Sequence, residues 1–249
     1  HTPDGPGPHP PRPRTTPVEM SEAEARTDIG RYGLAPDSGG AGENRGGLGT
    51  WLEFKVFSPG TRITARNRDR TRFRPWGILG GKAGSPSNFI RNPDTPKEEI
   101  LGNQDTLTAE PGDVIRFYGP GGGGRGNPLD RDPSRVLRDV ERSALSLDAA
   151  RVDYGVVIEG ETVDESATET LRAKLRSSEG AATHFNFGPE REEYERYWTP
   201  EAYDAMTEIM ASLPNHWRFF VKARIFDAMN ASEIGGVEVV QSACARLAT

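Results

Sequence analysis

The sequence predicts an α+β protein in which a turn-rich β-sheet domain is followed by a helical carboxy-terminal region. Three observations carry this. From Tyr32 to about Tyr118 apolar residues recur with period two, the spacing of a strand with one buried face. Beyond Pro128 the spacing lengthens to three and four behind residues that cap helices. Glycine and proline number 29 and 20 among 249 residues, about one in five against an ordinary 12% or so, which favours turns and irregular connections over a helical bundle.

In chain order, residues 1–17 form a Pro/Gly-rich extended arm too poor in apolar side chains to build a core. Residues 18–128 read as the β-rich domain. Leu52, Phe54 and Val56 alternate with Trp51, Glu53, Lys55 and Phe57, and Val114 to Tyr118 is a second strand. Ser58-Pro59-Gly60, Gly80-Gly81, Gly84-Ser85-Pro86, Asn92-Pro93-Asp94 and Pro111-Gly112-Asp113 are turn-forming combinations. Residues 62–74 hold six arginines, Arg62, Arg66, Arg68, Arg70, Arg72 and Arg74, of which the last five are evenly spaced, as on the solvent or subunit face of a β-ribbon; the alternative is a phosphate- or RNA-binding run.

Residues 129–249 read as mainly helical. Asp132-Pro133 is an N-cap with proline in the first turn, followed by Val136, Leu137 and Val140. Ser146 opens a short helix that Gly155 closes, and Val156 to Ile158 is a small strand. Asp164 caps a helix carrying Ala167, Leu171 and Leu175. Thr199-Pro200 begins another with Tyr203, Met206, Met210 and Leu213, which Pro214 ends. A last helix from about Asn215 to Met229 is expected to bury Trp217, Phe220, Val221 and Ile225, although the Trp217, Phe219, Phe220 region would also suit a subunit interface.

Composition narrows the function classes. The mean hydropathy is −0.66 and no run of about 18 apolar residues occurs, so no transmembrane helix is expected. The first residues lack a signal-peptide pattern, and the sequence is read as a cytoplasmic chain that engages no membrane. A single cysteine, Cys244, leaves no disulfide framework or multi-cysteine metal cage. The four histidines lack the i,i+4 pairing of a helical metal site, and no metal site is assigned. The net charge of −6 makes nucleic acid an unexpected partner.

Two segments stand out as candidates for chemistry. The first, residues 36–49, reads PDSGGAGENRGGLG and runs into the Trp51 strand. Its glycines suit a tight turn that presents Asp37, Ser38 and Arg45 at one end of a sheet; alternatively Asp37 and Ser38 satisfy the turn backbone and Arg45 pairs with Asp37. The second, Ala109 to Pro133, places four consecutive glycines, Gly121 to Gly124, between a strand and a capped helix. Such a loop could offer bare N–H groups and positive φ to an anion or substrate, or simply pack closely. It lacks the Lys-Ser/Thr of a Walker A loop.

Together, DSGGAGENRGGLG at 37–49, PGDVIRFYGPGGGGRGNPLDRDPSRVLRDV at 111–140 and SLDAARVDYGVVI at 146–158 resemble the carboxy-terminal half of the hydantoinase B family, the B-type subunits of ATP-dependent hydantoinases, oxoprolinases, caprolactamase and the acetone and acetophenone carboxylases. The resemblance implies motif residues Asp37, Ser38, Gly39, Gly40, Arg45, Gly46, Gly47, Gly121, Gly122, Gly123, Gly124, Asp130 and Arg131, with no catalytic residue carried over. Arg125 stands where the family pattern calls for an uncharged residue. An A-type partner would bind ATP and magnesium and phosphorylate a small cyclic amide or ketone, and a B-type subunit would host ring opening or carboxylation. The His/Asp-rich metal-binding stretch of the family's amino-terminal half has no counterpart here. The expectation is therefore a fragment, a split subunit or a processed product, with that half on another chain, no cofactor bound by this one, and no activity alone. A non-catalytic scaffold is the alternative of another class.

Overall fold

The computed structural model describes residues 18–65, 70–102, 104–178, 180 and 183–246. They form two compact units, one ending at Gly188 and the other beginning at Pro189. The arm at 1–17, and Arg66 and Arg68 of the arginine run, lie outside the described residues.

The first unit opens with a helix that the sequence reading did not anticipate, α1 (Val18–Ala25), and then builds its strands: β1 (Thr27–Leu34), β2 (Thr50–Val56), β3 (Thr61–Thr64), β4 (Gly77–Ile78), β5 (Asn88–Arg91), β6 (Glu99–Ile100), β7 (Thr106–Ala109) and β8 (Val114–Tyr118). Five of them make an antiparallel sheet in the order β1-β2-β8-β5-β6. The period-two alternation is realised there. Phe54 lies opposite Ile115 and Leu52 opposite Phe117, and Val56, Phe89, Leu107, Ala109 and Ile115 form a buried cluster against Phe54, Ile63 and Phe117. On the other face Trp51 stacks on Tyr118 at 5.8 Å. There Arg116 donates to Glu53 at 2.6 Å and to Asp94 at 2.7 Å, which keeps a buried guanidinium satisfied at the sheet centre.

Turns fall where the glycine and asparagine pairs place them. Gly60, Asn92, Asp94 and Gly112 all adopt positive φ, the left-handed region that these residue types tolerate. The arginine run departs from expectation. Its strand ends at Thr64, because the partner β7 begins at Thr106 opposite it; Arg70 has φ +66 and sits in a turn. Arg70 covers Trp76 at 5.0 Å and Arg72 covers Phe73 at 5.4 Å, so Arg62 lies on a β-ribbon whereas Arg70 to Arg74 do not.

After a 3-10 turn at Pro128–Asp130 come α2 (Pro133–Glu141), α3 (Leu147–Tyr154), the hairpin of β9 (Ile158–Glu159) and β10 (Thr162–Val163), α4 (Glu165–Ser178) and β11 (Phe185–Asn186), which pairs with β4. The caps are those the sequence implies. Asp132 accepts from Ser134 N at 2.8 Å, Ser146 from Ala149 N at 3.1 Å and Asp164 from Ala167 N at 2.9 Å, while Gly155 ends α3 in the left-handed conformation. The expected strand at 156–158 starts only at Ile158. Val156 is spent on the helix exit, its N–H donating to Ala150 O at 3.0 Å. Val136, Leu145, Ala150, Tyr154 and Val156 pack with Ala41 of the first glycine-rich segment. Helices α2 and α3 consequently share a core with that loop, and the unit boundary falls at Gly188 rather than after Pro128.

The second unit consists of α5 (Pro189–Tyr197), α6 (Pro200–Ser212), α7 (Asn215–Asn230) and α8 (Val237–Ala245). Helices α5 and α8 have no counterpart in the sequence reading. Thr199 caps α6 as expected, and Trp198 packs at 4.5 Å from Phe226 and 5.0 Å from Tyr203. The expected burial on α7 is half right. Val221, Ile225 and Met229, spaced four apart, are its buried stripe. Trp217 and Phe220 are about half exposed and Phe219 is 87% exposed, since Phe219 and Phe220 lie off that stripe.

Candidate functional site

The two glycine-rich segments meet. The loop after β1 lies along the loop after β8, and the segment around Gly77 to Ser85 joins them, tied by main-chain hydrogen bonds. Gly40 N donates to Gly122 O at 2.8 Å, Gly122 N to Gly47 O at 2.8 Å, Gly124 N to Lys82 O at 2.9 Å and Lys82 N to Ala41 O at 2.7 Å. Gly46 N donates to Gly40 O at 2.9 Å and Gly121 N to Ser85 O at 3.1 Å. The N–H groups of Gly121, Gly122 and Gly124 are therefore spent on neighbouring carbonyls, and the bare-amide cradle that the sequence allowed is absent at these three positions. Positive φ is not the reason for the glycines either, since none of Gly121 to Gly124 adopts it. Close approach is. A β-carbon on Gly39, Gly40, Gly46, Gly121, Gly123 or Gly124 would fall inside the van der Waals envelope of an adjacent main chain, with the Gly46, Lys82, Gly122, Ser38, Trp76 and Ala41 carbonyls respectively in the way.

Polar motif residues pin this mesh. Buried Ser38 donates its hydroxyl to Ala35 O at 2.6 Å and accepts from Gly49 N at 2.8 Å. Asp37, at φ +57, receives Ser146 N at 2.7 Å on its carboxylate and donates its own N–H to Ala144 O at 3.1 Å, which fixes the entry to α3. Its partner is thus the main chain, not Arg45. Asp130 faces outward and pairs with Arg176 at 2.9 Å between exposed groups, a contact of small energetic weight.

Arg45 and Arg131 instead converge on Asp139 of α2. Arg45 Nε lies 3.2 Å and Arg131 Nη2 2.8 Å from the same carboxylate oxygen. Arg131 is 1% exposed and also donates to Glu43 O at 3.0 Å. The sequence reading missed Asp139. Its signal was an acid three residues after Val136, on the side of α2 that turns inward, where an unpaired carboxylate would not survive. Tyr154 lies beneath, its ring 6.0 Å from the Arg131 guanidinium carbon. Its buried hydroxyl has no hydrogen-bond partner among the described residues, and burial pushes its pKa up.

Above this carboxylate opens a cleft of about 610 Å³. Its lining combines apolar Leu34, Leu48 and Trp51 with Arg45, Arg131, Arg135, Arg138, Arg142 and the Asp139 carboxylate. A second cleft of about 720 Å³ lies against α2, α4 and the β10 strand, mixing Glu161, Glu165 and Glu169 with Arg172 and Arg176. Among the described residues no group of three or more His, Cys, Asp or Glu side chains is placed to hold a metal ion, and no helix is long and apolar enough to cross a membrane. The arrangement fixes a main-chain mesh and lines one cleft with five arginine side chains and one carboxylate.

Comparisons with known proteins place the chain in a family. The family model described as Hydantoinase B/oxoprolinase matches residues 2–128, which contain the segment 36–49 and the four glycines 121–124. The caprolactamase beta subunit of Pseudomonas jessenii is 37% identical over 166 residues, 63% of this chain and 28% of that one. The B-type subunit of a putative D-/L-hydantoinase from Pseudomonas sp. (strain NS671) is 32% identical over 162 residues, 64% of this chain and 27% of that one. In the solved structures, nucleotide-free acetone carboxylase superposes with a TM-score of 0.57 at 20% identity, covering 81% of this chain and 34% of that one, a likeness of fold. The chain belongs to the hydantoinase B/oxoprolinase family. It spans a little over a quarter of the length of these two curated relatives.

Proposed function

We propose that this chain is part of the B-type subunit of an ATP-dependent enzyme that opens a cyclic amide of the hydantoin, oxoproline or lactam kind. The observation that carries the reading is the family match over residues 2–128, reinforced by the 37% identity to a caprolactamase beta subunit. A ring amide is stabilised by resonance. Transfer of a phosphoryl group to its oxygen makes the ring carbon open to water, with phosphate as the eventual leaving group. In this reading an A-type partner binds ATP and magnesium, a separate amino-terminal portion of the B-type subunit carries any divalent metal, and no step runs through a metal on the residues described here. The assembly would operate in the cytoplasm.

The test is reconstitution. The chain is co-expressed with an A-type subunit and the remaining B-type portion, then assayed for ATP-dependent opening of caprolactam, hydantoin and 5-oxoproline. Turnover by the assembly and none by the chain alone is the expected result. Bicarbonate fixation onto acetone or acetophenone instead would move the protein to the ketone carboxylases, and an assembly inert in both assays would leave a scaffold.

A further inference from the structure

We propose that the arginine-lined cleft between the loop of Arg45 and helix α2 binds a small organic phosphate monoester, its phosphate on the guanidinium groups and its apolar body against Leu34, Leu48 and Trp51. The cleft's volume of about 610 Å³ lies within the roughly 300–1,000 Å³ of small-molecule sites. Its charge is the opposite of the chain's as a whole. Its lining holds five arginines and a single carboxylate, Asp139, on a protein of net charge −6.

The helix supplies the second part of the argument. Arg135, Arg138 and Arg142 stand at i, i+3 and i+7 on α2 and its C-cap, so three like charges share one helix face, an arrangement that costs helix stability. Arg138 and Arg142 are exposed and have no ion-pair partner among the described residues, the acid within the cleft being already engaged by Arg45 and Arg131. They line the same cleft as Arg131, which is held by Asp139 and the Glu43 carbonyl. Such a lining matches a doubly charged oxyanion, which accepts several charge-assisted hydrogen bonds at once. Leu34, Leu48 and Trp51 in the same lining give the ligand's organic body an apolar surface. This inference deepens the reading above and rests on it for the natural ligand, the phosphorylated ring amide, whereas binding of a phosphate ester is a property of this chain alone.

Titration calorimetry on the 249-residue chain, with phenyl phosphate and inorganic phosphate as probes, tests it at low and high salt. Phenyl phosphate is expected to bind more tightly than inorganic phosphate, and both more weakly as salt screens the arginines. The variant Arg138→Ala/Arg142→Ala, at exposed positions where alanine favours the helix, is expected to lose about tenfold or more in affinity for both. Arg218→Ala on α7 is expected to leave affinity unchanged. Absence of binding at about 10 mM phenyl phosphate, undiminished affinity in the double variant, or equal affinity for the two probes would each overturn the proposal. Reconstituted activity without phosphate-ester binding would sink this site and spare the functional reading; binding without reconstituted activity would do the reverse.

Discussion

Replacing Gly40 by alanine tests the claim that the glycines serve close approach. The new β-carbon would lie 2.7 Å from Gly124 N and 2.9 Å from the carbonyl carbon of Ala83, and closer still to Lys82 O, where ordinary contact begins at 3.4 Å. Every obstacle is main chain, so no rotamer can yield. Restoring contact with Gly124 N alone needs a displacement of about 0.7 Å, which takes the 2.9 Å bond from Gly124 N to Lys82 O beyond useful hydrogen-bond length. The bonds from Gly40 N to Gly122 O and from Lys82 N to Ala41 O are strained by the same shift. Three buried bonds at about 1 kcal/mol each, with an overpacking cost of about 1 kcal/mol or more, give a loss of about 4 kcal/mol. For a unit of this size that lowers the melting temperature by about 8–16 °C. Differential scanning calorimetry measures it. Gly180→Ala, where a β-carbon meets nothing within 4 Å, is the control and should melt within about 1 °C of the parent. A Gly40→Ala chain melting as close to the parent as that control would refute the close-packing argument.

Three further outcomes follow from the site and the sheet. Asp139→Asn should lower stability by about 3 kcal/mol or more, because Arg131 would keep its burial and lose its counter-charge; a urea midpoint matching the parent's would contradict the shared-carboxylate geometry. Tyr154→Phe should leave stability unchanged or raise it by about 1 kcal/mol, since the hydroxyl is buried without a partner among the described residues, and a clear loss in urea would show that the hydroxyl is engaged. Asp113 is held down to about 2 chiefly by the Arg91 guanidinium, with the Glu110 N–H and Asn92 assisting. Its folded pKa lies below the ordinary 3.8, so its contribution is complete above about pH 4 and disappears as pH falls toward 2; Asp113→Asn should flatten that part of the stability profile, and an unchanged slope would remove Asp113 as its source.

Features that depend on near neighbours were readable in the chain before it folds. Caps at Asp132, Ser146, Asp164 and Thr199, the left-handed exit at Gly155, the turns at Gly60 and Gly112 and the alternation through β2 and β8 are each decided within a few residues, and the structure realises them. The short helices α1, α5 and α8 escaped for the converse reason: strong local signals are few there, and packing decides them. The family, too, was legible, because its motifs are contiguous strings. The purpose of the motif residues was not. Four glycines in a row are compatible with a bare anion cradle or a close-packed strand, and only the arrival of the Ser38, Gly47, Trp76 and Lys82 main chains beside them selects the second. Arg45 found its carboxylate at Asp139, 94 residues away, rather than at the nearby Asp37, whose own carboxylate caps the start of α3. Such pairings belong to the folded state, because burial strips an ion of its water wherever it sits, and only folding brings a distant counter-ion within reach.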